Sequence, residues 1–170
     1  TLPNYFKTIL NEMGIGFCIA ITGSTWLKTG TGKSYTALRL AELIDKDFSI
    51  DKVAFTVEEF LQILDKIEES NKPGQVIILD EAEITAPAHA YLSTFNKAVA
   101  YALATFRYLR CMVIIVTPTF LWVDKRVRTL ISHWGYTELF MQGGEKKVHL
   151  HLYRVKTDLF GEKIYLQRLR

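Results

Sequence analysis

The sequence predicts an α/β fold, a mainly parallel sheet covered by helices on both faces, with an antiparallel hairpin added at the C-terminal edge. Three observations carry the prediction. Short apolar runs alternate with helix-period segments up to about residue 140. Those runs are nearly unbroken, as in strands buried on both faces. Past residue 147 the pattern changes to strict apolar–polar alternation, the mark of half-buried antiparallel strands. With 170 residues, 49% of them apolar and 23% charged, the chain has material for one domain with a full core. The expected division is a single domain over 1–170, with a core at about 14–140 and a hairpin at 147–170. Disordered and low-complexity classes are excluded by the same composition.

Residues 15–21 form the first apolar run, closed by Thr22 and Gly23. A loop rich in Gly, Thr and Ser follows. Ala37, Leu40, Ala41 and Ile44 then fall at i, i+3, i+4 and i+7, one face of a helix. Residues 52–55 read as a short second strand. Thr56 and Glu59 form a capping box ahead of a helix whose stripe is Val57, Phe60, Leu61 and Leu64. Pro73 and Gly74 make a turn, and 76–79 is the third strand. Ser93 can cap a helix that turns Phe95, Val99, Leu103 and Phe106 inward. Residues 112–116 are the fourth strand, a short helix is expected near 124–131, and a fifth strand near 136–140. Val148, Leu150 and Leu152, then Ile164 and Leu166, alternate with polar residues on either side of a turn at 158–161.

No run reaches 18 apolar residues, so no membrane-spanning helix is expected. Residues 1–13 carry charge and no secretory core. Cys18 and Cys111 lie in or beside apolar runs and read as buried thiols in a reducing compartment, the cytoplasm, or the host cytoplasm for a viral protein. A net charge of +3 is compatible with nucleic acid without requiring it.

The chemistry concentrates at two strand ends. After the first strand stands Gly23-Ser24-Thr25-Trp26-Leu27-Lys28-Thr29-Gly30-Thr31-Gly32-Lys33-Ser34. Its last five residues match the second half of a Walker A phosphate loop. There, glycines turn successive backbone N–H groups toward phosphate oxygens and a helix N-terminus adds its positive dipole end. Lys33 reaches the outer phosphates, and the Ser34 hydroxyl joins a Mg²⁺ shell. The strict spacing fails, because Leu27 stands where the first glycine belongs. Omitting Trp26-Leu27-Lys28-Thr29 restores a full match beginning at Gly23, so these four residues are expected to bulge out of the cradle. The expected nucleotide contacts are Gly23, Gly30, Thr31, Gly32, Lys33, Ser34 and Tyr35. The bland alternative is a glycine-rich turn that binds nothing.

The third strand ends in Asp80 and Glu81, the Walker B form, 47 residues after Lys33. Carboxylates are excluded from the middle of a buried strand but tolerated at its C-terminal tip. Asp80 is the expected Mg²⁺ ligand together with Ser34, and Glu81 the base that polarises the attacking water. Together the motifs specify a P-loop NTPase of three αβα layers. An adjacent catalytic glutamate goes with a strand inserted between the first and third, giving the order 5-1-4-3-2. The fourth strand then presents Thr117 at the γ-phosphate as a sensor, or as a cap of the next turn. Arg107 and Arg128 are candidates for an arginine donated to a neighbouring subunit's nucleotide, or plain surface arginines. His149 and His151 share one strand face, a conceivable metal pair with no third ligand of fitting spacing, or a polar solvent face.

The order of these motifs, with Asn96-Lys97, Thr105-Phe106-Arg107 and the Asp124/Arg128 pair, resembles the HerA–FtsK superfamily of DNA-translocating ATPases. It is closest to small ATPases of archaeal viruses and plasmids, genome-packaging or Zot-like. The resemblance implies a Mg²⁺-dependent ATPase that translocates or packages double-stranded DNA as a homo-oligomeric, often hexameric, ring. Carried over residue by residue, it implies Lys33 and Ser34 on phosphate and Mg²⁺, Asp80 on Mg²⁺ and Glu81 as base. Pro118 departs from the Thr-Gln of the bacterial translocases. The alternatives are a P-loop kinase or switch acting alone, and a weakly active subunit of a larger assembly.

Overall fold

A computed structural model describes residues 1–24, 30–80, 108–119, 128, 130–158 and 163–169. Strand β1, Phe17–Gly23, buries all seven residues; β3, Val76–Asp80, and β4, Met112–Val116, bury all five of theirs. Strands of this kind must be covered on both sides. The side chains sort by period two into two cores. Cys18, Ala20, Ile77, Leu79, Val113 and Ile115 face helix α3, Val57–Ser70. Ile19, Ile21, Val76, Ile78, Ile114 and Val116 face helix α2, Lys33–Ile44, and the N-terminal helix α1, Leu2–Lys7.

The sheet has seven strands in the order β2-β3-β4-β1-β5-β6-β7, with β2 at Val53–Ala54, β5 at Ile131–Gln142, β6 at Glu145–Thr157 and β7 at Ile164–Arg168. Strands β2, β3, β4, β1 and β5 run parallel, and β6 and β7 are antiparallel. The expected 5-1-4-3-2 order is therefore observed, with β4 between β1 and β3. The capping box at Thr56 and Glu59 is formed in both directions. Helix α3 ends at Asn71, whose left-handed backbone, φ 48°, stops the helix before the turn at Pro73 and Gly74. Its stripe runs through Ile63 rather than Leu61, which lies half-buried at the flank.

The element boundaries differ from expectation in places. Strand β5 begins at Ile131, five residues earlier than expected, so Ile131 belongs to the sheet and not to the helix preceding it. The expected hairpin is present as β6 and β7, and a second one precedes it: Gly143 and Gly144, φ 62° and 81°, make the two-residue turn from β5 into β6, for which glycine suits both positive angles. A core boundary at 140 thus falls within a strand. The N-terminal segment, to which the sequence analysis assigns no element, forms α1 and a wider π turn at Thr8–Glu12, burying Phe6 and Leu10 completely. The expected helix carrying Phe95 to Phe106 lies outside the described residues; Arg128 and Leu130, from the expected helix near 124–131, are helical. Cys18 and Cys111 are buried free thiols, their ionisation strongly suppressed by burial. Among the described residues no helix is long and apolar enough to cross a membrane.

Two polar networks hold the layers in register. Asp45, buried at the end of α2, accepts from Lys52 Nζ at 2.7 Å, the Val76 N–H at 3.1 Å and the Asp47 N–H at 3.0 Å, tying α2 to the start of β3. The second network fastens α1 to the sheet. Arg154 Nη2 donates to Tyr5 Oη (2.7 Å), Tyr5 Oη pairs with His133 Nε2 (3.0 Å), and His133 Nδ1 pairs with Ser132 Oγ (2.9 Å), which donates to the Cys18 carbonyl (2.9 Å). Because Ser132 spends its one proton on the carbonyl, His133 Nδ1 carries a hydrogen. Burial keeps the imidazole neutral, so its Nε2 accepts from Tyr5. Burial, and then the Arg154 charge, lower its pKa from 6.5 to about 4.

Unfolding releases His133 to its ordinary pKa, so the unfolded chain takes up a proton that the folded chain refuses. This contribution is fully present above about pH 6.5 and is lost as pH falls toward 4. We expect the stability in urea to drop by about 1–2 kcal/mol more between pH 7 and pH 5 in the wild type than in His133→Phe. Equal drops in the two proteins would contradict the neutral, buried imidazole.

Candidate functional site

The C-terminal tips of β1, β3 and β4 converge on one end of the sheet. At β1 the chain leaves through Gly23 and buried Ser24; residues 25–29, including the four-residue insert, lie outside the described residues. It re-enters at Gly30, φ 67°, passes fully buried Thr31, and turns at Gly32, φ 80°, into α2. Gly32 is required twice over. Its backbone is left-handed, and a Cβ built on it would stand 2.7 Å from Cγ2 of Val148 on β6. The hairpin thus lies directly against the loop. Helix α2 starts at Lys33, so the positive end of its dipole lies at this loop.

Lys33 and Asp80 face each other across the site. Burial lowers the Lys33 pKa, and the Asp80 charge partly restores it. Asp80 is the last residue of β3 and is nearly buried. Ser34 and Tyr35 are exposed on the first turn of α2. The oxygens of Asp80 and Ser34 are the hard donors that Mg²⁺ takes, so the residues present fit that ion. Between Lys33 and Asp80 in the sheet, Thr117 follows β4, is buried, and donates its N–H to the Ile21 carbonyl at 3.0 Å. Its hydroxyl donates to the Thr119 carbonyl at 3.4 Å, a bond within the following turn.

Two predicted residues, Glu81 and Arg107, lie outside the described residues. Arg128 is not brought to this site. Cys18 pairs with Ile131, so Arg128 sits just before β5 at the opposite end of the sheet from Gly23, five β1 residues or about 16 Å farther along. Its Nε is buried with no hydrogen-bond partner among the described residues. His149 and His151 pack with ring centroids 4.3 Å apart, and His151 Nε2 meets Glu138 Oε2 at 3.0 Å. No group of three metal-binding side chains occurs among the described residues.

Sequence reasoning missed Thr137. This β5 residue is fully buried, and its hydroxyl lies 2.8 Å from that of Thr31 and 3.3 Å from the Thr22 carbonyl. It ties the phosphate loop to β5 on one side and the loop's entry to β1 on the other.

No protein-family model matches this sequence, and no curated protein matches it. Among solved structures, the crystal structure of the N-terminal domain of zonular occludens toxin from Neisseria meningitidis aligns with a TM-score of 0.49 at 14% identity, over 92% of this chain and 94% of that one. The P-loop NTPase fold rests on the strand order and the loop described above.

Thr137→Val keeps the shape and removes the hydroxyl. We expect a loss of about 1–2 kcal/mol in urea unfolding and weaker nucleotide binding, with Thr137→Ser restoring both. Unchanged nucleotide affinity in the valine variant would reduce Thr137 to a packing residue.

Proposed function

We propose that this chain is a Mg²⁺-dependent ATPase that moves or packages double-stranded DNA, working as a ring of copies. One observation carries the nucleotide reading: the left-handed Gly32 delivers Lys33, at the start of α2, opposite Asp80 with β4 between their strands. Lys33 would hold the outer phosphates, Asp80 and Ser34 the cation, and Glu81, next in the chain after Asp80, would polarise the attacking water. Thr117 would sense the γ-phosphate by breaking its bond to Thr119.

The DNA-motor reading is supported by the likeness to HerA–FtsK motifs and by two physical features. Residues 138–170 hold 7 Lys and Arg against 4 Asp and Glu, while the rest of the chain is balanced at 14 against 14. The whole net charge therefore lies on the C-terminal strands, where a sequence-independent grip on phosphates would need it. Arg128 lies at the far end of the sheet from its own phosphate loop, so only a neighbouring copy's nucleotide is open to it. Arg107 is held as a second candidate on the motif likeness alone.

The test is ATP hydrolysis with and without duplexes of increasing length. We expect turnover stimulated by DNA and rising with its length, abolished with binding in Lys33→Ala, and reduced about 10²–10⁴-fold with binding retained in Glu81→Gln. Phosphoryl transfer to a small acceptor without DNA dependence would favour a kinase. Nucleotide binding without turnover would make this an assembly subunit.

A further inference from the structure

Strand β6 runs for thirteen residues, Glu145–Thr157, but β7 pairs with its second half alone, from Tyr153 to Thr157. Beyond that, the Leu169 N–H donates to the Leu152 carbonyl at 2.9 Å, so the even-numbered residues of β6 turn their backbone groups away from β5. The N–H and C=O groups of Lys146, Val148 and Leu150 therefore form an outer edge, and no described strand pairs with it. We propose that this edge is a docking site for an extended protein segment that adds a strand to the sheet, its residues alternating apolar and acidic. The proposal stands on the sheet alone and does not rest on the nucleotide reading.

Lysines on an edge are also an ordinary way to keep strands apart, so an open edge by itself carries nothing. Here space for an occupant accompanies it. Where β7 ends, His149, His151 and Arg168 border a hollow of about 790 Å³ against the edge. On the α2 face, a cleft of about 700 Å³ lies between α2 and the β5–β6 hairpin, lined by Leu43, Leu139, Val148 and Leu150 and closed by Leu2 and Pro3 of α1. Val148 and Leu150 thus offer backbone to the edge and side chains to the cleft. A strand added beside β6, about 4.8 Å away, places every second side chain over that cleft. Main-chain bonds then supply affinity, and the alternate side chains supply specificity. Val148 also packs on Gly32, so the docked segment rests beside the residue against which the phosphate loop turns.

The two faces of the edge set the occupant's chemistry. Side chains over the cleft meet Val148, Leu150 and Leu43 and are apolar. The alternate side chains meet the opposite face, where Lys147, His149, His151 and Arg168 stand. Glu138, an acid on that face of β5, is already held by His151 at 3.0 Å. Lys146 and Lys147 make no ion pair among the described residues. Carboxylates on the occupant therefore complement the local charge. The same edge of a second copy does not, because pairing it here would set lysines and histidines of one copy against those of the other, and like charges across a strand pair destabilise it.

The experiment titrates the full chain into a labelled peptide, Glu-Val-Glu-Val-Glu-Val-Glu, and follows backbone amide hydrogen exchange with and without it. We expect saturable binding that weakens by about 10-fold or more when the three valine nitrogens are methylated, a change that removes the strand's donors and keeps its charge. In the free chain the amides of Lys146, Val148 and Leu150 should exchange fast and those of Lys147, His149 and His151, bonded to β5, slowly. The peptide should slow the first set by about 10-fold or more. Lys146→Pro, which removes an edge donor not bonded to β5, should weaken the peptide more than Lys146→Ala does. The methylated peptide tests the same bonds on the wild-type chain, so the outcome does not depend on how that variant folds. Absent binding, binding indifferent to methylation, or binding that leaves the three edge amides fast would overturn the proposal. So would edge amides already slow in a chain that sediments as a dimer, the mark of a second copy on the edge. Slowing of those amides by a short DNA duplex and not by the peptide would overturn it in favour of a nucleic-acid face.

Discussion

Burial of the central strands on both faces is the constraint from which the remaining features follow. Strands β1, β3 and β4 hold no solvent-facing side, so a charge anywhere along them would lose its hydration with nothing to replace it. Charged groups are expelled to the strand tips. Parallel strands place those tips at one end of the sheet, where Asp80 and the loop after Gly23 meet. The insertion of β4 between β1 and β3 sets how far apart Lys33 and Asp80 stand. The helix of the phosphate loop is held by the same core, through Ala37, Leu40, Ala41 and Ile44.

The C-terminal hairpin is more than an edge decoration. It presses Val148 on Gly32, anchors Thr31 through Thr137, and walls the cleft next to the loop. It also carries the chain's excess positive charge. Through Arg154, Tyr5 and His133 it is fastened to α1, which in turn closes the same cleft. A shift of β6 would therefore be felt at the phosphate loop by direct contact. That coupling is geometric and passes through packed side chains.

How much of this was legible in the sequence depends on the kind of burial. Where both faces are dry, as in 76–80 and 112–116, the apolar run is continuous and the strand is plain. The first half of β5 escaped because half-buried Ser132 and buried His133 are polar residues held by hydrogen bonds, and Gly135 is small so that Leu150 can approach it within 2.8 Å of a built Cβ. Neither feature leaves an apolar mark. Helix α1 escaped because it is short and opens into a π turn, so its two buried anchors, Phe6 and Leu10, support no longer periodicity. At the candidate site, the motif spacing singled out Lys33, Ser34 and Asp80, and the fold brings the start of α2 and the tip of β3 to the same end of the sheet. Thr137 was not singled out, since a threonine on a strand gives no sign of which loop its hydroxyl will hold. Arg128 was singled out by motif, and only the register of β1 with β5 placed it away from its own site.

The central claim is that Lys33 and Asp80 frame a site for a nucleotide and its cation. The most direct measurement is nucleotide affinity as a function of Mg²⁺ concentration in the wild type and in Asp80→Asn. The account predicts that Mg²⁺ strengthens binding in the wild type and that Asp80→Asn retains binding without Mg²⁺ but loses the enhancement, because the amide keeps the shape and gives up the charge. Affinity independent of Mg²⁺ in the wild type, or an enhancement undiminished in Asp80→Asn, would contradict it.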